Sequence, residues 1–373
     1  MKKILFLIHD LGYGGAEKVL VNLANYLDKT KYDVTVQTLF DIGHNKQYLN
    51  DDVTYIGGLK KMFPGNVTLM NLFSPKALCK LVVKENYDIV ISFLEGPSAR
   101  IVSAYKGKKV AWIHTDFFNK ELAASGFRNF DEAKKCYSEF DRVIAVSNVV
   151  KTDFDKSFGF NDFAQVLYNV NDSNRIKLLA EDPQSYIEKS DSYFNIVSVG
   201  KLDNSTKGFD NLIRVHKRLI DNGINNKLFI VGEGADRAVL ESLINELGVS
   251  KSCTLIGFDD NPYKYVSKAD LFVCSSHREG FSTAVTEALI LGIPVVSTNV
   301  SGAVELLGEQ NQYGIVTTDD VDDLFNSVYS LLSNTDLLSK YRDCAAVRGN
   351  DFSAEETTIA VEKMFEDVLK NES

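Results

Sequence analysis

Short apolar runs alternate along the chain with stretches whose apolar residues recur at helical spacing. The runs are Ile4–Ile8, Val34–Leu39, Ile89–Phe93, Val110–Ile113 and Val143–Val146. After a break come Ile196–Val199, Leu228–Val231, Thr254–Ile256, Leu271–Cys274, Val295–Ser297 and Ile315–Thr317. They are rich in Val and Ile, continuous rather than alternating, and bounded by Gly, Asp or Asn. Strands buried on both faces of a parallel sheet carry this pattern, because neither face leaves room for a polar side chain. Between the runs, Ala16, Val19, Leu20, Leu23, Ala24 and Leu27 line one face of a helix. Ser74-Pro75 supplies an N-cap and a proline at the first helical position. Ser353 and Glu356 have capping-box spacing and open a final helix through about Leu369. Strand–helix alternation of this kind predicts an α/β protein with doubly wound sheets. The polar stretch 171–192, which contains Pro183, separates two such series. The expected organisation is a Rossmann-like domain over 1–180, a second over 190–350, and a terminal segment 351–373 whose helix crosses back to the first. Ligands in such sheets lie beyond the C-terminal strand ends, so two facing domains would share a cleft.

Composition narrows the class without naming it. With 373 residues, 45% hydrophobic and 25% charged, the chain is neither disordered nor a disulfide-framework peptide. The net charge of −10 argues against nucleic acid as a partner. That charge is uneven: residues 1–185 carry 24 basic and 22 acidic side chains, and the rest 17 and 29. Residues 60–109 hold nine basic and three acidic side chains, which points to an anionic surface or acceptor, or else to ordinary solvated lysine faces. The five cysteines are scattered with no C-x-x-C pair, which fits free thiols in a reducing cytoplasm. Cys253 and Cys274 fall in apolar runs and are expected in the core. The apolar run after Met1-Lys-Lys is too short for a signal peptide, and no stretch approaches 18 apolar residues.

Three motifs carry candidate chemistry. The first strand is followed by His9-Asp10-Leu11-Gly12-Tyr13-Gly14-Gly15-Ala16-Glu17. Glycines at a strand-to-helix turn let backbone approach a ligand, and the helix N-terminus offers free N–H groups to a phosphate. Glu17 stands where a dinucleotide fingerprint needs its third glycine, so that motif is not met. A tight turn that merely needs glycine is the simpler alternative. The second motif, Gly200-Lys201 through Lys207-Gly208, puts two lysines on one loop at a strand end, where they would suit a diphosphate. The third is 274–298, CSSHREGFSTAVTEALILGIPVVST. Glu279 falls on a loop and Glu287 within the helix that follows, with Gly280-Phe281-Ser282 between them. The loop amides and helix N-terminus would hold phosphate, leaving two carboxylates to accept hydrogen bonds from sugar hydroxyls. A cap at Glu279 and a surface position at Glu287 are the alternatives.

Taken in order, these elements resemble the retaining glycosyltransferases of family 4. The resemblance rests on Gly14-Gly15-Ala16-Glu17, Gly200-Lys201…Lys207-Gly208, Val231-Gly232-Glu233-Gly234, Leu255-Ile256-Gly257-Phe258, Glu279…Glu287 with Gly292-Ile293-Pro294-Val295-Val296, and Ser301-Gly302-Ala303…Glu305. It implies a GT-B fold, two Rossmann-like domains about a central cleft, with a nucleotide sugar bound mainly by the second. By that resemblance Lys201 and Lys207 neutralise the donor diphosphate, and Glu279 binds donor-sugar hydroxyls. Backbone at Gly280, Phe281, Ser282 and Thr283 holds phosphate, Glu287 the ribose, and the backbone near Phe258 the base. Gly15 faces the donor phosphates from the first domain, and His114 contacts the donor sugar or stabilises charge at the reacting centre. Glu279, His114 and Lys207 are thus the catalytic candidates. Two residues depart from the family pattern: Lys201 replaces the usual arginine, and Ser282 an often-seen glycine.

The resemblance implies a retaining hexosyltransferase with a UDP-sugar donor. Its acceptor would be a glycan or lipid-linked molecule of cell-envelope polysaccharide synthesis. No D-x-D loop is evident, Asp51-Asp52 and Asp259-Asp260 reading as turn acids, so no metal or other cofactor is expected. The expected location is the cytoplasm, with peripheral contact to an anionic membrane surface. Lys76, Lys80 and Lys84, beside Leu78, Leu81 and Val82 on the helix expected over Pro75–Glu85, either lie on such a surface or pack as an ordinary helix. The competing readings are a nucleotide-sugar-binding protein without catalysis, an epimerase-like enzyme of the same fold, and a dinucleotide oxidoreductase. The last is disfavoured by the missing third glycine.

Overall fold

The computed structural model describes residues 1–117 and 120–370. The chain forms two compact units, one of Met1–Asn171 with the segment from Ala354 onward, the other of Asp172–Ser353. The first is built on seven parallel strands: β1 (Lys2–Ile8), β2 (Tyr32–Thr38), β3 (Thr54–Ile56), β4 (Ile89–Ser92), β5 (Lys108–Ile113), β6 (Arg142–Ala145) and β7 (Ala164–Val166). Their order is β3-β2-β1-β4-β5-β6-β7, with Ile4 opposite both Val34 and Ile89. The second unit has six parallel strands: β8 (Phe194–Val199), β9 (Asn226–Val231), β10 (Cys253–Gly257), β11 (Leu271–Cys274), β12 (Val295–Thr298) and β13 (Ile315–Thr317), ordered β10-β9-β8-β11-β12-β13. Helices flank both sheets, so central strands such as β4, β11 and β12 are buried throughout.

All eleven expected strands form. The two unexpected ones, β3 and β7, are the edges of the first sheet, and their side chains are mostly part-exposed. Each is a three-residue edge strand that contains a polar residue, Thr54 in one and Gln165 in the other, so neither carries a continuous apolar run. Ser74 caps the helix Pro75–Val82, its hydroxyl accepting from the Ala77 amide at 3.2 Å. The chain passes from the first unit to the second at Asn171–Asp172. Residues 173–180, inside the polar stretch, form a helix of the second unit capped by the Asp172 carboxylate. The final helix, Ala354–Lys370, packs in the first unit. There Phe365 meets Phe6 and Tyr32, and the Glu362 carboxylate accepts from the Asp28 amide and the Lys31 ammonium, both at 2.9 Å. Cys253 and Cys274 lie in the core, and all five thiols are free.

Each sheet has one point where the strand order reverses, between β1 and β4 in the first and between β8 and β11 in the second. Loops leaving the C-terminal ends of such a strand pair depart to opposite sides and open a crevice. The candidate motifs fall at these two places.

Candidate active site

In the second unit the loops after β8 and β11 are tied together by backbone. The amides of His277 and Arg278 donate to the Thr206 carbonyl at 2.8 and 3.3 Å, and the Ser275 hydroxyl donates to the Lys207 carbonyl at 2.9 Å. Gly208 makes this approach feasible. Its φ is +57°, and a Cβ there would stand 2.3 Å from the Ser275 carbonyl oxygen. Held in this way, the Lys207 ammonium donates to Glu279 Oε1 at 2.6 Å, and the Ser276 hydroxyl donates to the same oxygen at 2.8 Å. Both partners of the ion pair are largely buried. Burial opposes the charge on Lys207, but the Glu279 carboxylate outweighs it and raises the lysine pKa above its usual value. A cation and a carboxylate are therefore fixed side by side at the reversal point of the sheet. The first suits a phosphate and the second a hydroxyl.

The remaining expected residues of this unit fall around that pair. Ser282 is the N-cap of the helix Thr283–Ile290, its hydroxyl accepting from the Val285 amide at 3.4 Å. The first-turn amides at Thr283 and beyond have no carbonyl of the preceding turn to bond, so the helix end remains suited to an anion. Phe281 is buried and packs against Phe352, so its side chain anchors the loop while the backbone of Gly280–Ser282 leads into the helix. Glu287 is not a surface residue: it is 6% exposed and accepts from the Tyr263 hydroxyl at 3.1 Å. Phe258, just beyond β10, is half exposed. Lys201 is exposed and lies outside the Lys207–Glu279 pair, so the two lysines of one loop have different surroundings.

The reversal point of the first unit is of another character. Asp10 accepts from the Gly12 amide at 2.8 Å and pairs with His9 at 2.7 Å, and the hydrogen bond to His9 chiefly lowers its pKa. Gly14 and Gly15 begin the helix Gly15–Tyr26, as the turn motif requires. A Cβ on Gly14 would lie 2.1 Å from a carboxyl oxygen of Glu17, so that acid folds back over the start of its own helix. Burial raises the Glu17 pKa. A phosphate brought to Gly15 would meet this carboxyl as well as the helix amides. Glu95, in the loop after β4, accepts from the His114 amide at 3.1 Å, and burial raises its pKa too. The His114 ring lies tilted against Phe93, 4.9 Å between centroids, and its Nε2 is shut off from solvent with no partner among the described residues. Burial lowers its pKa to about 3. The ring is therefore neutral at pH 7. It can share a hydrogen bond with a sugar but carries no positive charge to the reacting centre in this state.

Ser276, Tyr263 and Glu95 belong to these sites and were not singled out by sequence. Ser276 and Glu95 stand just beyond the expected β11 and β4, a position that could have flagged them. Tyr263 reaches Glu287 only through the fold.

Comparison with known proteins gives this arrangement its class. Residues 181–347 match the family model "Glycosyl transferases group 1", and residues 13–175 match "Glycosyltransferase Family 4". The N-acetylgalactosamine-N,N'-diacetylbacillosaminyl-diphospho-undecaprenol 4-alpha-N-acetylgalactosaminyltransferase of Campylobacter jejuni is 29% identical, covering 94% of this chain and 96% of its own. The lipopolysaccharide core biosynthesis glycosyltransferase LpsE of Rhizobium meliloti is 23% identical over 88% of each. Among solved structures, Anabaena HepE in complex with UDP and glucose superposes with a TM-score of 0.77 at 19% identity, covering 98% of this chain and 100% of its own. The two units are the Rossmann-like domains of a GT-B fold. The chain belongs to glycosyltransferase family 4 and is a glycosyltransferase.

Proposed function

We propose that the enzyme moves a hexose or N-acetylhexosamine from a nucleotide sugar, UDP-linked, to a glycan or lipid-linked acceptor in cell-envelope polysaccharide synthesis, with retention of configuration and without a metal. It would do so in the cytoplasm. The observation that carries this reading is the buried Lys207–Glu279 pair beside the N-terminus of the helix Thr283–Ile290. The UDP and glucose bound by HepE, and the undecaprenol-linked and lipopolysaccharide substrates named for the relatives, support it.

On this reading Lys207, Lys201 and the helix N-terminus hold the diphosphate. Glu279 accepts from donor-sugar hydroxyls, Glu287 holds the ribose, and backbone near Phe258 meets the base. Gly15 and His114 are the proposed donor contacts of the first unit. In the transfer, the bond between the anomeric carbon and the diphosphate oxygen breaks, and its electron pair leaves with the nucleoside diphosphate. The acceptor oxygen bonds to the same face of that carbon. Its proton passes to the departing phosphate, so the balance requires no enzyme nucleophile. Lys207 and the helix dipole offset the charge that builds on the leaving group.

A thermal-shift panel of UDP-, GDP- and ADP-sugars, bare UDP and NAD tests the donor. A ligand at about 100 times its Kd stabilises by roughly 2.7 kcal/mol. A raised Tm with one UDP-sugar, lost in Glu279→Ala, is expected. A shift with NAD alone, or with no nucleotide sugar, overturns the reading. Turnover unchanged in EDTA and an unchanged anomeric configuration in the product test the remaining two points.

A further inference from the structure

The helix Thr283–Ile290 is buried from Val285 to Ile290, and Glu287 is the one charged residue in that run. A carboxylate taken out of water is kept only where hydrogen bonds answer it. Glu287 accepts at Oε1 from the Tyr263 hydroxyl at 3.1 Å, and Tyr263 is itself only 3% exposed. Tyr263 opens the short helix Tyr263–Val266, five residues after Phe258 in the segment that follows β10. The residue proposed for the base and the hydroxyl that meets the ribose carboxylate therefore share one loop.

That loop is held without help from Glu287. The Asp259 carboxylate accepts from the Asn261 amide at 2.8 Å, from the Tyr265 hydroxyl at 2.9 Å and from the Lys264 ammonium at 2.9 Å. Asn261 donates through Nδ2 to the Leu179 carbonyl at 2.8 Å, and the Ser267 hydroxyl donates to the Ala180 carbonyl at 3.1 Å. Both ends of the turn are thus fastened to the helix Ser173–Ala180. A glutamate has three rotatable side-chain bonds, whereas a tyrosine hydroxyl on a buried ring has a fixed place. The constraint therefore runs from the loop to the carboxylate. One hydroxyl also takes only one of about four acceptor positions on a carboxylate.

We infer that Tyr263 is a positioning residue for the donor ribose: its hydroxyl fixes Oε1 of Glu287, and with it the plane in which the carboxylate accepts from the ribose hydroxyls. The enzyme's preference for a ribonucleotide over a deoxyribonucleotide then depends on a side chain that does not itself touch the sugar. A binding group is effective only when its rotamer is locked by the groups behind it. The inference rests on the reading that Glu287 meets the ribose and adds the group that aims it.

Titration calorimetry of UDP and of 2′,3′-dideoxy-UDP, against the parent chain and Tyr263→Phe, tests it. The variant keeps the buried ring and loses one oxygen, and native circular dichroism checks its fold. The parent should bind UDP at least about tenfold more tightly than the dideoxy nucleotide, the scale of hydrogen bonds to a charged group. Tyr263→Phe should weaken UDP by about fivefold and the dideoxy nucleotide by less than about twofold, because the lost bond matters only where there are hydroxyls to meet. In Glu287→Ala the preference for UDP should vanish, and adding Tyr263→Phe should cost nothing more. Equal weakening of both nucleotides by Tyr263→Phe, or none of either, would overturn the inference and leave the ribose reading of Glu287 intact. So would a further loss of UDP affinity when Tyr263→Phe is added to Glu287→Ala. Equal binding of the two nucleotides by the parent would remove the ribose from Glu287 and this inference with it.

Discussion

The two sheets reverse their strand order in the same way, yet the two crevices that result are electrostatic opposites. Between β8 and β11 a charged lysine and a carboxylate are paired beside a helix N-terminus. Between β1 and β4 the polar groups include two carboxyls whose pKa values are raised by burial, and beside them a histidine held neutral. The helix N-terminus there is covered by Glu17. Topology therefore decides where a ligand can sit, and the side chains decide which ligand. One crevice is suited to a phosphate, the other to uncharged hydroxyls.

This contrast can be broken at several points. The largest effect is expected at Glu279. Glu279→Gln should cut turnover by about 10²–10³-fold, the scale found when one charge-stabilising group is lost from an active site. Steady-state rates with an unchanged circular dichroism spectrum check it. Native-level turnover would remove the charged crevice from the mechanism.

His114 should make the first unit sensitive to acid. Its folded pKa of about 3 lies below the unfolded value of 6.5, so the folded state binds fewer protons. Its contribution is complete above pH 6.5 and drains away as pH falls toward 3, by up to ~1.4 kcal/mol per unit. His114→Leu should flatten that part of a Tm-against-pH curve, and an unchanged slope would count against a buried neutral ring.

Gly208→Ala should cost about 1–3 kcal/mol, because a side chain at positive φ is strained and here also meets the Ser275 carbonyl. Urea denaturation with preserved melting of the first unit would confine the damage to the second. The smallest effect is expected at Glu95. Its folded pKa is raised, so the stability it contributes is present below pH 4.5 and is lost as pH rises through the folded value. At pH 7, above the ordinary carboxyl value, keeping this acid in its buried place is a net cost. Glu95→Gln keeps an oxygen for the His114 amide and should raise Tm slightly at pH 7, with the gain vanishing near pH 4.5. A lower Tm at pH 7 would count against a net cost of burying this carboxyl.

Much of this was readable from sequence because central strands of parallel sheets are buried on both faces and carry continuous apolar runs. β3 and β7 lacked that signature because they are three-residue edge strands holding Thr54 and Gln165. The Gly14-Gly15 turn and the Glu279…Glu287 spacing located both crevices, since a strand end followed by a helix start is a local event. The contacts that give the crevices their chemistry were not local. The bond from Tyr263 to Glu287 and the fold-back of Glu17 over Gly14 depend on how close the backbone passes. The two lysines at 201 and 207 looked equivalent in sequence, and only the approach of the Ser275–Glu279 loop separates them.

The account stands most directly on Lys207. Titration calorimetry of UDP against the parent chain and Lys207→Ala, both checked for native circular dichroism, tests it. Loss of one well-placed charged contact to a phosphate should raise Kd by at least about tenfold, equivalent to 1.4 kcal/mol. Equal affinity in the two proteins would show that the buried Lys207–Glu279 pair serves only to tie two loops together, and that the nucleotide binds elsewhere.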